Sequence, residues 1–298
     1  MLSLHTNAAS LSSQNAVGNT NKALTTALTR LGTGFRVNSA MDDAAGLQIA
    51  VRLDAQARGM SVAQKNTQNG ISMMQTAEGA FTELTNVLLR MKDLATEAFN
   101  ASTTAADKTA LQAEYDALGL ELANIMKTSS FGGQTLFSDG TTVDGADGLL
   151  SAAITFQIGA TEAETMEVDT GTSLTALATA LGSGAADSGV SNVYNGGAGT
   201  ELTGAGATNA VITRINTAID AVGTIRAELG AASNRLEHVY NNLGNMITNT
   251  KASRGRIMDV DYAQETANAT SKQLLMQAGT SALKQSSSLS QLVISLMQ

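Results

Sequence analysis

Proline, cysteine and tryptophan are all absent from this 298-residue chain, and aromatic residues make up only 3% of it. Average proline usage of about 5% would give roughly fifteen. Each would cost about 3 kcal/mol inside a helix, so their absence leaves long helices uninterrupted. The lack of cysteine excludes disulfides and thiolate metal sites and leaves the redox compartment undecided. Aromatic side chains contribute large buried areas to compact enzyme cores. Here the hydrophobic 43% is mostly Ala, Leu, Val, Ile and Met, which suits closely packed long helices. His5 and His238 are the only histidines, so neither a His-Glu-x-x-His zinc site nor a Ser/His/Asp triad has convincing support.

Long hydrophobic runs are missing too. Nothing approaches the roughly eighteen apolar residues of a membrane span, and the first twenty residues lack the basic and continuous apolar regions of a secretory signal. The net charge of −8 argues against nucleic acid as a partner. These readings point to a soluble protein, either cytoplasmic or exported without a cleaved signal. Positive charge is missing from one region in particular. Between Lys127 and Arg214 there is no Lys or Arg, yet nine acidic residues lie there: Asp139, Asp144, Asp147, Glu162, Glu164, Glu167, Asp169, Asp187 and Glu201. Fifteen of the 28 glycines fall between Gly132 and Gly206. Such a middle is poorly suited to a helical seam, whereas the charge-balanced ends are patterned for one.

The seams are explicit. Val211, Ile215, Ala218, Val222, Ile225, Leu229, Ala232, Leu236, Val239, Leu243 and Met246 alternate steps of four and three, the spacing of a helix packed against other helices. A second seam, Leu53, Met60, Thr67, Met74, Phe81, Leu88 and Ala95, repeats every seven residues, with Ala63, Gly70, Ala77, Leu84, Met91 and Ala98 as companions. A third is Leu111, Tyr115, Leu118, Leu122 and Ile125. Three such helices predict a bundle within one subunit. The outermost seams are thinner: Leu4, Leu11, Val17, Leu24, Leu28 and Leu31 at one end, and Leu275, Ala282, Leu289 and Leu296 at the other. Helices like these are marginal alone, so both ends are expected to order on finding partners. In the middle, Ser129–Gly140 reads as a turn and short strand. Ile154–Gly159 alternates as a strand with Met166–Val168 as its hairpin partner, and Leu174, Leu177 and Leu181 hint at a short helix. The rest of the middle predicts a small surface domain with few apolar anchors.

Several local groups invite a chemical reading. Asn38 or Ser39 can cap a helix whose positive N-terminus suits Asp42 and Asp43. Arg90 and Leu94, four apart, are expected to share one helix face away from the Leu88–Met91 seam, and Glu114 can present a carboxylate to them from the next helix. Asp259, Asp261 and Glu265 lack the spacing of a calcium loop, so helix capping and pairing with Arg254 or Arg256 is the expectation. Gly196–Gly199 has neither a strand-to-helix context nor a lysine for phosphate. No catalytic, cofactor or metal constellation emerges.

Residues 29–50 (TRLGTGFRVNSAMDDAAGLQIA) resemble the N-terminal signature of the bacterial flagellins almost residue for residue. So do 75–80 (QTAEGA), 89–95 (LRMKDLA), 229–236 (LGAASNRL), 255–265 (GRIMDVDYAQE) and 277–283 (QAGTSAL). The resemblance covers about residues 1–140 and 207–298, in the family's order. One departure is Ser290, where family members usually carry a proline, so the C-terminal helix is expected to run on further.

The resemblance implies a mainly α fold: a long coiled-coil helical bundle from both chain ends, a small β-hairpin region and a short variable outer domain. Residues 1–42 and 255–298 would form an inner coiled coil, 43–140 and 207–254 the helical wall, and 141–206 the hairpin and outer domain. It also implies a structural filament subunit for swimming motility, secreted through a type III apparatus and not an enzyme. The implied partners are further copies of itself, an export chaperone on the C-terminal helix, and cap and hook-junction proteins. Residues 29–50 match the segment that plant receptor kinases detect, and the turn around Asn38, Asp42 and Asp43 would also contact neighbouring subunits. Arg90, Leu94 and Glu114 match the patch read by the animal Toll-like receptor for the family and used between subunits along a protofilament. Two alternatives are a hook–filament junction protein and a secreted adhesin or enzyme borrowing the export ends. The long match over residues 38–46 favours the filament subunit over the first; the short middle without His or Cys opposes the second.

Overall fold

The computed structural model describes residues 7–138, 147–182, 189–197, 199–204 and 209–296, the side chains of 195 and 289–296 excepted. The chain divides into two compact units, one of residues 1–57 with 248–298 and the other of residues 58–247.

The second unit is built on three long helical stretches, from α2 (Ala44–Ala98), α3 (Ala105–Thr128) and α5 (Ala210–Met258). Unbroken spans of 55 and 49 residues in α2 and α5 are what a chain without proline permits. Helix α3 begins at a capping box, in which Thr104 and Asp107 each accept the other's backbone N–H. The predicted seams form the core: Met74, Phe81, Leu84, Leu88 and Met91 of α2 and Ile215, Val222, Ile225, Leu229 and Leu236 of α5 are buried. Two registers differ from expectation. Near the end of α5 the buried residue is Ile247, not Met246. On α3 the fully buried positions are Gln112, Tyr115, Gly119, Leu122, Ala123 and Met126, because that helix also faces the middle segment.

After α3, strands β1 (Ser130–Phe131) and β2 (Gln134–Thr135) pair through Gly132 and Gly133, both at positive φ (61° and 88°), as a two-residue hairpin turn of that kind requires. Phe137 then tucks against Phe81, ring centroids 4.7 Å apart. Strands β3 (Ile154–Gln157) and β4 (Thr165–Val168) form the expected antiparallel hairpin, and α4 spans Gly171–Leu181. The expectation of few apolar anchors is overturned. Leu174, Leu177, Leu181, Val190, Tyr194 and Leu202 are buried in the same hydrophobic cluster as the long helices. Widely spaced leucines among Gly, Ala, Ser and Thr were enough, because the long helices already supply the other half of the core.

The first unit pairs α1 (Ala8–Thr33) with α6 (Tyr262–Leu296). Asn7 Nδ2 donates to the Ser286 carbonyl at 3.2 Å, and Arg30 pairs with Glu265 at 3.8 Å, so the helices run antiparallel. At their shared end, Phe35 and Asp259 make an antiparallel β-bridge, with Arg36 N–H donating to Met258 O and Val260 N–H to Gly34 O. Gly34 closes α1 at φ 76° and its N–H bonds Arg30 O; an added Cβ there would lie 2.8 Å from the Tyr262 hydroxyl. Val37, Ala50 and Met258 form a small core beside this bridge. On the outer faces, hydroxyls of Thr25, Thr26, Thr29 and Thr33 in α1, and of Thr266 and Thr270 in α6, donate to the carbonyl four residues back, as does that of the partly covered Thr20.

Candidate functional site

The turn before α2 is a small polar lattice. Asp42 Oδ2 accepts the N–H groups of Ser39 (2.9 Å) and Asn38 (3.1 Å) and the Ser39 hydroxyl. Those donors, the backbone ones foremost, hold its carboxyl below the usual aspartate range. Asn38 Nδ2 donates to Phe35 O at 2.8 Å. The helix cap is Asp43, whose Oδ1 accepts Gly46 N–H at 2.8 Å. This corrects the expectation for Asn38 and Ser39: they stand one turn too early, and their polar groups close the turn instead. Met41 projects from it, 97% exposed.

Arg90 and Glu114 meet as foreseen. Arg90 Nε and Nη2 both donate to Glu114 Oε1, at 2.9 and 2.6 Å, and the charge-assisted bond raises the guanidinium's affinity for its proton. Both side chains are about half exposed, so water screens the pair. Leu94 is a correction. It is 1% exposed and part of the core, not on an outer face with Arg90. A helix in a bundle buries a broad stripe, and position 94 lies inside that stripe while the long Arg90 side chain reaches over its edge. The exposed apolar neighbour of Arg90 is Leu89, 46% exposed.

In the α1/α6 pair the structure also redraws the seam. The covered positions on α1 are Ser10, Ser13, Val17, Thr20, Ala23, Leu24, Ala27, Arg30 and Leu31, with Gly34 at its cap; on α6 they are Glu265, Ala269, Lys272, Met276, Gly279, Leu283 and Ser286. Both sets are heptads. Leu24 and Leu31 fall where expected, but Leu11 (57% exposed), Leu275 (53%) and Ala282 lie outside the seam, as do Leu28 and Leu274. The expectation followed the leucines, whereas the seam follows small and polar residues. Leu4 and the side chains of Leu289 and Leu296 lie outside the described residues.

The acids at the head of α6 act as structural groups. Asp261 Oδ1 accepts the N–H groups of Ala263 (3.0 Å) and Gln264 (3.2 Å), capping the helix. Arg254 pairs with Asp54, and Glu265 with Arg30, which corrects the expected partners. Among the described residues no three His, Cys, Asp or Glu converge as metal ligands, and no helix is long and apolar enough to cross a membrane.

One junction went unforeseen. Gln112, 4% exposed, donates through Nε2 to Glu201 Oε2 (2.8 Å) and Asp116 Oδ1 (2.6 Å), and accepts Leu202 N–H at 2.7 Å. Glu201 also accepts Asn192 N–H, and the Tyr115 hydroxyl donates to Val190 O at 2.6 Å. Burial, with the Glu201 charge adding to it, pushes the Asp116 carboxyl up, although its bond to Gln112 opposes this. The available signal was Gln112 in helical step with Tyr115, Gly119 and Leu122.

Comparison with known proteins completes the picture. Residues 4–142 match the bacterial flagellin N-terminal helical region and residues 212–297 the bacterial flagellin C-terminal helical region. The chain is 34% identical to Flagellin A of Vibrio anguillarum over the full length of both, and 32% identical to Flagellin D of Vibrio cholerae over 99% of both. Among solved structures, a crystal structure of Bacillus cereus flagellin is similar at a TM-score of 0.46 and 28% identity, covering 60% of this chain and 88% of that one.

Proposed function

Because the chain belongs to the bacterial flagellins and is a structural subunit of the flagellar filament, not an enzyme, we propose that its terminal helix pair packs against other copies as the filament's inner layer. One observation carries this. Leu11, Leu28, Leu274 and Leu275 are each more than half exposed on the outer faces of α1 and α6, next to a seam too poor in apolar residues to stand alone. Large exposed apolar side chains in groups mark association surfaces. In this reading residues 1–42 and 255–298 serve as the inner layer, 43–140 and 207–254 as the wall, and the acidic 141–206 as the outward face.

The turn of Asn38, Asp42 and Asp43 and the Arg90–Glu114 pair are the proposed contacts between neighbouring copies, with Leu94 supporting the patch from beneath. The same two surfaces are the proposed epitopes for plant and animal flagellin receptors. Secretion through the flagellar export apparatus, a chaperone on the C-terminal helix, and cap and hook-junction partners complete the proposal. The lack of any disulfide to resist threading supports export of an unfolded chain.

Electron microscopy of the full chain, before and after seeding or salting out, tests the inner-layer assignment. The intact protein is expected to form long helical tubes, and deletion of residues 275–298 to abolish them. Tubes that persist after the deletion would overturn it.

A further inference from the structure

We propose that the Arg30–Glu265 pair sets the register of α1 against α6, a role that their apolar residues do not fill. The inference concerns a contact inside one chain and is independent of which outer surfaces meet other copies. Val17 sits against Gly279, where an added Cβ would lie 2.6 Å from Val17 Cγ2. Heptad strides along both helices from that point bring Leu24 level with Lys272 and Leu31 with Glu265. In the other direction they bring Ser10 level with Ser286. Most layers oppose a large residue to a small or flexible one.

That volume pattern tolerates a shift of one heptad, about 10 Å. Moving α6 so that Ser286 faces Val17 would place Leu283 by Thr20, Gly279 by Leu24 and Met276 by Ala27. These layers again join large to small, so packing alone discriminates poorly between the two registers. The backbone bridge between Phe35 and Asp259, with its two hydrogen bonds, opposes such a shift at the shared end only, and along the helices the choice falls to side chains.

Charge discriminates. In the observed register Arg30 lies 3.8 Å from Glu265 on α6 and 3.8 Å from Asp42 of the following turn. Glu265 is only 8% exposed, and the buried Arg30 Nε has no hydrogen-bond partner among the described residues. The two carboxylates are therefore what offsets the burial of the guanidinium. After a one-heptad shift Arg30 would face Lys272 and Glu265 would lose its cation. A half-buried like-charge contact would replace an attractive one, which is how polar residues specify register in coiled coils.

The absence of cysteine allows a direct test. In Val17→Cys/Gly279→Cys the two Cβ atoms would stand 4.0 Å apart, within disulfide range. Val17→Cys/Ser286→Cys reports the shifted register. Each double variant is copolymerised with an excess of the natural chain, so that only disulfides within one chain form, and these are identified by peptide mass after oxidation. A variant that the natural chain excludes is read in the soluble full-length protein by the same disulfides.

With the native charges, the 17–279 link is expected and the 17–286 link absent. Exchanging the charges on α6, Glu265→Lys with Lys272→Glu, keeps composition and the Arg30–Asp42 contact but moves the acid one heptad. The 17–286 link is then expected to become the main product, with at least a several-fold loss of 17–279. Retention of the 17–279 link in the exchanged chain would overturn the proposal. Loss of both links would overturn it too, because Glu265 would then be needed for pairing and not for register.

Discussion

Arg90 and Leu94 are one helical turn apart, yet one is half in water and the other is sealed in the core. Their substitutions should therefore act on different quantities. Leu94→Ala leaves a cavity and is expected to cost about 2–5 kcal/mol, read as a fall in the urea midpoint of the monomer. Arg90→Ala is expected to leave that midpoint within error and to lengthen the lag of seeded polymerisation. Asp43→Ala should cost about 1 kcal/mol through loss of the α2 cap, again read from the urea curve. The string of Asn38, Ser39, Asp42 and Asp43 announced a helix start, but all four are capping types. The structure gives the cap to Asp43, because Asp42 is taken up by the N–H groups of Asn38 and Ser39. Asp42 adds a pH dependence. Its carboxyl is held below its ordinary 3.8, so its contribution is present above that value and lost as pH falls through the lower, folded one.

The long helices and the β3/β4 hairpin were legible as elements because period seven and period two each survived without interruption. The terminal seam was misread because leucine attracts attention, while the interface mixes a few large apolar residues such as Leu24, Leu31 and Leu283 with Ser, Thr, Gly and Ala. The anchoring of residues 189–197 and 199–204 on α3 was illegible for another reason: its chief residue is a glutamine, whose partners are a backbone N–H and two acids from separate segments. That junction yields a prediction at its own scale. Burial raises the Asp116 carboxyl above its ordinary 3.8, so the sign is opposite to that of Asp42. Its contribution is full below 3.8 and declines as pH rises through the higher folded value. The charged group facing it is Glu201. Hydrogen exchange at Val190 and Leu202 should accelerate, relative to the intrinsic rate, as pH rises through that window. In Asp116→Asn the Asp116-dependent part of this change should vanish.

At the scale of the whole molecule, charge and hydroxyl chemistry govern behaviour in company. Each copy carries a net charge of −8 at neutral pH, and the acid-only middle keeps like charge on one part of the chain. Filaments are expected to stay dispersed at pH 7 and to bundle as pH falls toward the isoelectric point near 4.8, measured by light scattering. Salt at pH 7 should produce part of the same effect, because the screening length shrinks from about 10 Å at 0.1 M to about 3 Å at 1 M. Bundling would occur with the turn intact, since Asp42 titrates lower still. The threonines of α1 and α6 carry a further consequence. A hydroxyl that already donates to its own helix brings no orphan proton to whatever touches it next. Such a surface is amphibious: it can be wetted or dried at nearly equal cost, so a chain that meets water first and its own kind later need not be rebuilt for the second medium.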